Sequence, residues 1–389
     1  WMPDLRQLSL DGGVEGVDSS GTFSAQHIDI DVQKDLLRAR GHIRVRRGAV
    51  LLEADEWIEE WPKRHSAVRG DPARYARGAR IVEAQHLIHA RDAESINARG
   101  AVIFAEGTRR LAASNMVYDH RAEELVAGGG VSVAGSEWKG ILRSDSLYFN
   151  LQKERGVLLG NPHLRSTEEN DLHLSADSMH FDMSARTIKG MGQYQLTSGS
   201  VRVDAKRGSY AAADNQMVFV GSVFLRDIAA DTLSKYQIES DSMTVQLVDG
   251  VATEVYAGGA FKGRVVLSTG DATSWLASSR GIVLLEDDQL SAVTLERDAD
   301  VTYRYITKDQ VSRFRGDEMV LHFNTGILQQ VRVEGSAVLE SRLVRAAGDM
   351  AINSVEGEEM DIYFDNGLLV RVEVGPKAEG IYLPQEDAP

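Results

Sequence analysis

The chain has 389 residues with 43% hydrophobic content, which excludes wholesale disorder. It contains no cysteine, which excludes disulfides, thiol catalysis and cysteine-ligated metals. A net charge of −15 argues against nucleic acid and against a general anionic membrane surface as partners. No run approaches about eighteen consecutive apolar residues, so the sequence predicts no transmembrane segment.

A short unit built around a large apolar anchor recurs from the N-terminal region onward. The first anchors fall about thirty residues apart, a period typical of stacked repeat folds. In chain order they are Ile28, Trp57, Leu87, Met116, Leu147 and Met179. Beyond Met179 the spacing is irregular, but the unit continues, for example as Asp-Glu-Met-Val-Leu-His-Phe-Asn and Glu-Glu-Met-Asp-Ile-Tyr-Phe-Asp.

Each unit is predicted to be a strand, a turn and a second strand. Large side chains recur at every second position, as at Met179 and Phe181, which is the period of a strand. About ten residues later comes a small residue and another alternating segment, as at residues 41–45. The Asp-Asn-Gly sequence at residues 365–367 favours antiparallel hairpins. These patterns predict an all-β fold, an extended twisted antiparallel stack of strand-turn-strand units.

Two proline patterns bear on the chain's organisation. Residues 57–80, with Pro62 and Pro72, break the repeat and predict a loop or short helix. No proline lies between Pro162 and Pro376, which suits an uninterrupted hydrogen-bonded ladder because proline cannot donate to one. The chain is long enough for two conventional domains or one extended stack.

The aspartate that precedes several anchors has a structural and a catalytic interpretation. It recurs at Asp55, Asp145, Asp177, Asp214, Asp241 and Asp317. We favour the structural interpretation, because a residue reused in every unit would serve each corner by accepting nearby backbone N–H groups.

Motifs of enzymes are missing from the sequence. There is no Gly-x-Ser-x-Gly elbow and no glycine-rich loop followed by Lys-Ser or Lys-Thr. His86 and His89 are close in sequence, but a strand would place them on opposite faces, which disfavours a zinc site. Nothing singles out two of the 58 acidic residues as a catalytic pair. We therefore predict no enzymatic activity, no cofactor and no metal.

The apolar faces of the strands allow two interpretations. They could fill a closed core, or they could leave a lumen for an alkyl chain between opposed sheets. The recurrence of methionine mildly favours the lumen, because its flexible thioether adapts to varied apolar partners, although gap filling would use the same residue.

The unit Ala-Asp-x-Met-x-Phe-Asp, followed about ten residues later by Ala/Gly-x-Gly-x-Val, resembles the OstA-like repeats of the lipopolysaccharide-transport family, found in LptA, LptC and the N-terminal part of LptD. The resemblance spans nearly the whole chain. It implies a twisted β-jelly-roll whose V-shaped interior shields the acyl chains of lipopolysaccharide. It also implies edge-to-edge joining of jelly rolls into a periplasmic bridge toward the outer membrane. We accordingly predict one OstA-like jelly roll over residues 1–200, with an insertion near 57–80, and a second roll or a continuation over 201–389.

The resemblance also implies which residues would contact lipid, namely the alternating apolar residues at matching strand positions. These are Ile28, Ile30, Met116, Tyr118, Leu147, Phe149, Met179, Phe181, Met217, Phe219, Met243, Val245, Met319, Leu321, Met360 and Ile362. The expected partners are lipopolysaccharide or another acyl lipid, and other jelly-roll transport proteins or a second copy of the chain.

Two alternatives to lipid transport remain at this point. One is a structural or adhesive β-stack, in which the same repeat forms a closed core. The other, less favoured, is a carbohydrate-active parallel β-helix enzyme, which the antiparallel hairpin signals oppose.

Overall fold

A computed structural model describes the protein. The described residues are 6–18, 21–61, 65–135, 140–166, 172–228, 234–248, 251–267, 271–287, 289–306, 310–324, 327–344 and 350–384. They form antiparallel strands joined by turns, and none of them lies in an α-helix. The predicted fold class, an all-β antiparallel stack of strand-turn-strand units, is confirmed.

The chain divides into two compact units. Unit 1 comprises Trp1–Glu168 and Asp177–Ile188, and unit 2 comprises Glu169–Ala176 and Lys189–Pro389. The assignment of jelly rolls to residues 1–200 and 201–389 stays a prediction.

The first twelve strands belong to unit 1. They are β1 Gln7–Asp18, β2 Gly21–Asp31, β3 Leu36–Arg47, β4 Val50–Glu60, β5 His65–Arg77, β6 Arg80–Ala90, β7 Ser95–Glu106, β8 Arg109–Asp119, β9 Glu124–Gly135, β10 Gly140–Asn150, β11 Arg155–Leu159 and β12 His163–Ser166. Each strand from β1 to β9 pairs antiparallel with the next along the chain. Strand β10 also pairs with β11 and β12 along successive halves.

The remaining strands complete both units. They are β13 His173–Ser175, β14 Ser178–Asp182, β15 Thr187–Ser198, β16 Val201–Ala211, β17 Gln216–Asp227, β18 Ser234–Val248, β19 Val251–Leu267, β20 Ala272–Glu286, β21 Gln289–Tyr305, β22 Gln310–Asn324, β23 Ile327–Val344, β24 Met350–Asp365, β25 Leu368–Val374 and β26 Glu379–Pro384. Strand β14 belongs to unit 1, where it pairs with β11. In unit 2, β13 pairs with β15, each strand from β16 to β23 pairs with the next, and β24 pairs with both β25 and β26.

A bulge interrupts most of these ladders near mid-strand. In β3 it falls at Gly41 and His42 and in β7 at Gly100 and Ala101, all four with positive φ. The same left-handed pair recurs at residues 12–13, 129–130, 160–161, 192–193, 221–222, 259–260, 297–298 and 335–336. Such a bulge bends the strand. We call each bend a corner and the segments on either side of it arms.

The two arms of unit 1 face each other. In the β3–β4 ladder Arg47 pairs with Val50, and Glu59 lies near the opposite end of β4, about 30 Å away in a flat strand. Yet Nη1 of Arg47 is 3.3 Å from Oε1 of Glu59. The strands must therefore fold over at the corner. Arm A ends in the turns at residues 48–49, 78–79 and 107–108, and arm B in those at 91–94, 120–123 and 151–154.

The aspartates before the anchors lie mostly at these corners, but their role differs from the predicted one. A Cβ added at Gly160 would overlap Asp145, and additions at Gly259 and Gly335 would likewise overlap Asp241 and Asp317. At these corners the carboxylate thus packs over a glycine. Asp214 is an exception, because it lies in the turn before β17.

Carboxylates that accept backbone N–H groups lie after the anchor instead. Asp119 accepts the N–H groups of Arg121 and Ala122 at 2.8 and 2.9 Å. Asp182 accepts that of Ala185 at 2.9 Å, and this bond, with the Ser184 hydroxyl and Arg155, lowers the pKa of Asp182 to about 2. These side chains fix the turns at the ends of arm B.

The prediction of a loop or short helix at residues 57–80 is wrong. Residues 57–60 end β4, residues 65–77 form β5, and Arg80 begins β6. Pro72 falls where the β5–β6 ladder shifts register between Arg69 and Ala73, so it occupies a corner and removes no ladder hydrogen bond there. Pro62 lies outside the described residues.

The corners predict a sharp difference between two glycines of unit 1. We expect Gly160→Ala to lower the free energy of unfolding by about 2 to 4 kcal/mol, because alanine would be left-handed and would also overlap Asp145. Gly48→Ala is the control, since Gly48 also has positive φ but has open space beside it, and it should cost only about 1 to 2 kcal/mol. Denaturant unfolding measures both, and equal losses would contradict the packing role of the corner.

Candidate functional site

The residues predicted to contact lipid lie in the interiors of the two units. All are buried except Ile30, which is half-buried. Those from Ile28 to Phe181 lie in unit 1 and those from Met217 to Ile362 in unit 2. Their burial places them on inward faces, and their role as lipid contacts stays a prediction.

In unit 1 the predicted residues form only one of two walls. All of them lie on arm B, and arm A supplies the opposite wall, which the sequence prediction omitted. Phe104 of arm A meets Tyr118 of arm B edge-on, with ring centroids 5.6 Å apart. Phe23 and Trp57 meet the same way at 6.4 Å. In β3, β7 and β9 the alternation that follows the corner, as at residues 41–45, is the sequence signal that marks arm A.

A pocket lies at one end of the interior of unit 1. It is lined mainly by apolar side chains, including Phe104, Leu111, Phe149 and Phe181, and has a cavity volume of about 30 Å³. Phe149 and Phe181 stack with centroids 5.6 Å apart. A space of this size holds about one water molecule, so an alkyl chain would enter only if the arms part.

The interior of unit 2 contains a buried phenol. Tyr194 is fully buried, its ring lies against the glycines at 190 and 208, and its centroid is 5.8 Å from that of Phe219. Its hydroxyl has no hydrogen-bond partner among the described residues, and burial raises the pKa of Tyr194 well above its usual value. A buried hydroxyl without a partner costs free energy.

Ion pairs join the ends of the two arms in unit 1, and we call this line of contact the mouth. The arginines come from arm A and the glutamates from arm B. The pairs are Arg47 with Glu59 at 3.3 Å, Arg77 with Glu94 at 3.9 Å, Arg80 with Glu123 at 2.5 Å and Arg109 with Glu154 at 2.6 Å. The mouth was not predicted from the sequence. The arginines of the mouth nevertheless recur beside the turns at roughly the period of the repeat.

The mouth pairs differ in how deeply they lie. The Glu59 carboxylate is only 1% exposed and contacts both Arg47 and Arg91. The guanidinium of Arg47 also lies 5.8 Å from the centre of the Trp57 ring. Removing one partner of a buried ion pair strongly lowers the free energy of unfolding, because it leaves the other charge buried and uncompensated. An ion pair that water reaches contributes only about 0 to 1 kcal/mol to that free energy. The Arg109–Glu154 pair is of the second kind, with 25% and 34% of the side chains exposed.

Two histidines lie beneath the mouth. His89 points inward and His86 is exposed, as strand alternation predicts. Nε2 of His120 lies 3.1 Å from the Tyr75 hydroxyl. Burial first, and then nearby arginines, lower the pKa of both His89 and His120 to about 4. The Asp119 carboxylate raises the pKa of His120, but this effect is smaller than the lowering by burial and by the arginines. Both imidazoles are therefore neutral at pH 7.

The described residues do not include a cluster of metal-ligating side chains, since no group of three or more histidine, aspartate or glutamate side chains among them is placed to hold a metal ion. Nor do they include a helix long and apolar enough to cross a membrane. No protein-family model matches the chain, and no curated protein matches it in sequence.

The buried histidines predict a loss of stability in mild acid. An unfolded histidine titrates near pH 6.5, so below that pH the unfolded state takes up protons that the folded state does not. We expect the free energy of unfolding to fall from about pH 6.5 to about pH 4, by roughly 3 kcal/mol or less per histidine. Below about pH 4 their contribution should level off.

The test compares unfolding free energies at pH 7 and pH 4.5. His89→Gln combined with His120→Gln should flatten the pH dependence. His65→Gln is the control, because it removes an exposed histidine, and this variant should keep the pH dependence of the parent. A double variant with the same slope as the parent would contradict this origin of the acid sensitivity.

Proposed function

We propose that the chain is a non-enzymatic periplasmic protein that binds lipid and shields the acyl chains of lipopolysaccharide, as a bridge or chaperone toward the outer membrane. One observation carries the proposal: in unit 1 two apolar walls face each other, closed at the corners and meeting at a mouth held by ion pairs. The resemblance to OstA-like repeats supports it independently.

The energetics favour an interior that opens for lipid. Burying an alkyl chain yields about 0.8 kcal/mol per methylene, so a chain of twelve carbons yields roughly 10 kcal/mol. Opening the exposed mouth pairs costs little, because water solvates the separated charges. The corners resist opening, since the left-handed pairs fix the bend there. The mouth is thus the side on which the walls would part.

The first described strand, β1, supports joining to another jelly roll. Its ladder is with β2, at the start of the succession of strands in unit 1. Leu8 and Leu10 pair with Ile30 and Ile28, yet they are 37% and 38% exposed. A strand added beside β1 would cover these leucines and extend the inner wall. Its source would be another jelly-roll transport protein or a second copy of this chain.

The small size of the cavity supports the alternative function, a structural or adhesive stack. A volume of about 30 Å³ suits a closed core as well as a closed lumen. The carbohydrate-active enzyme has less support, because the described ladders are antiparallel and a parallel β-helix pairs in parallel.

Crosslinking tests the lipid proposal directly. A photo-crosslinking amino acid at Phe181 in unit 1 or Met319 in unit 2 should capture lipopolysaccharide or another acyl lipid during expression, because both side chains lie in the interiors. Val117 is 44% exposed and serves as the outward-facing control. Mass spectrometry of the adducts identifies the lipid.

Native mass spectrometry of gently purified protein separates lipid binding from a scaffold role. Co-purified lipid supports the lumen. A clean mass without ligand, together with no adduct at Phe181 or Met319, would refute the lipid proposal and favour the scaffold.

Charges on β1 should prevent joining. Leu8→Lys combined with Leu10→Lys places cations where an added strand would need apolar cover, so self-association in sedimentation experiments should weaken at least about tenfold. Val117→Lys adds a charge on the outer face of β8 and should have no effect. Association that is indifferent to the β1 charges would exclude this edge as the joining site.

A further inference from the structure

The pocket of unit 1 lies closer to solvent than the middle of its interior. Phe104, Leu111 and Phe149 are 5%, 5% and 8% exposed, whereas Met116 and Met179 are at most 1% exposed. The pocket lies near the turn between β7 and β8 and the turns that follow β10 and β14. It is therefore an apolar opening at the mouth.

Three charged residues line this opening, namely Arg109, Arg110 and Glu106. Arg109 lines the pocket, and its Nη2 donates to Oε1 of Glu154 at 2.6 Å. Arg109 begins β8 on arm A, and Glu154 precedes β11 on arm B. The pair therefore spans the mouth directly beside the apolar lining.

Two of the other mouth ion pairs, those of Arg80 and Glu59, are less easily exchanged, and the third, Arg77 with Glu94, lies outside the pocket lining. Arg80 contacts two carboxylates, Glu106 at 2.7 Å and Glu123 at 2.5 Å, and donates to the Tyr118 hydroxyl. Glu59 is buried between two arginines. Exchange of a carboxylate there would leave a charge without compensation in a buried site. Glu154 is in an exposed turn and could move into water at little cost.

An acidic head group matches the chemistry of this opening at the mouth. Guanidinium binds phosphate or carboxylate through two parallel hydrogen bonds, and these charge-assisted bonds are stronger than neutral ones. The chain carries a net charge of −15, so an anion would gain little from its general field and needs a local cation. An alkyl tail attached to such a head group would enter between Phe104 and Phe149.

We infer that this pocket and Arg109 form a head-group site for an amphiphile that carries phosphate or carboxylate on an alkyl chain, and that the head group displaces the Glu154 carboxylate from Arg109. The inference rests on the proposed function, since it supposes that the walls of unit 1 accept an alkyl chain. It adds the point of entry and the polarity of the ligand. The tail lies in the interior and the head stays at the mouth.

Calorimetric titration with three probes tests this site. They are dodecyl phosphate and dodecyl maltoside, both below their micellar concentrations, and inorganic phosphate. Dodecyl phosphate should bind at least about tenfold more tightly than dodecyl maltoside, as a charge-assisted contact predicts. Inorganic phosphate should show no binding at the same concentrations, because it has no tail.

Two variants locate the head group. Arg109→Gln should bring the two amphiphiles to equal affinity without weakening dodecyl maltoside. Glu154→Gln should tighten dodecyl phosphate several-fold by removing the competing carboxylate. Arg69→Gln is the matched control, because Arg69 is exposed, lies outside the pocket lining and loses the same charge. Damage to the fold could not produce opposite effects in the first two variants.

The outcomes separate the two proposals. Equal binding of both amphiphiles by the parent, or a preference that survives Arg109→Gln, overturns the head-group site and leaves lipid binding standing. Inorganic phosphate binding as tightly as dodecyl phosphate overturns it as well, because the site would then recognise a free anion. Binding of neither amphiphile overturns both proposals.

Discussion

The bend at the corners is the constraint on which the rest of unit 1 depends, and a left-handed pair accompanies it in β1, β3, β7 and β9. A strand of eleven or twelve residues, such as β3 or β4, would lie flat if its ladder ran unbroken. With the bulge, the inward faces of arms A and B oppose each other. The core, the pocket and the mouth all follow from that bend. The overlap that a Cβ at Gly160 would make with Asp145 shows how closely the corner is packed.

The interior and the mouth respond differently to solvent. Apolar contacts such as Phe104 with Tyr118 favour closure because they remove surface from water. The partly exposed ion pairs add little net stability, but they align the ends of the arms. A lipid would replace the apolar contacts with similar ones and would disturb only the pairs that water can solvate. The same bent strands could thus form a closed interior or, with the arms parted at the mouth, an occupied one.

Much of the fold could be predicted because alternation is a local signal. Met179 and Phe181 reveal the strand period and their inward face within a few residues. The mouth could not be found in this way, since Arg109 and Glu154 come together only through the bend. Residues 57–80 misled for another reason: proline weakens a strand prediction, yet Pro72 occupies a corner where the ladder is already interrupted. Of the candidate site, the sequence therefore predicted one wall and missed the other.

The second position of the corner pair has a consequence for engineering. Ala101 and Ala260 hold left-handed φ angles of 46° and 48°, a conformation that alanine adopts at a cost of about 1 to 2 kcal/mol and asparagine tolerates better. Both alanines are exposed and lie outside the buried core. Replacing these alanines, which lie at equivalent points of the repeats, would thus raise the free energy of unfolding. Asparagine substitutions at these positions would stabilise the chain without altering the interior surface.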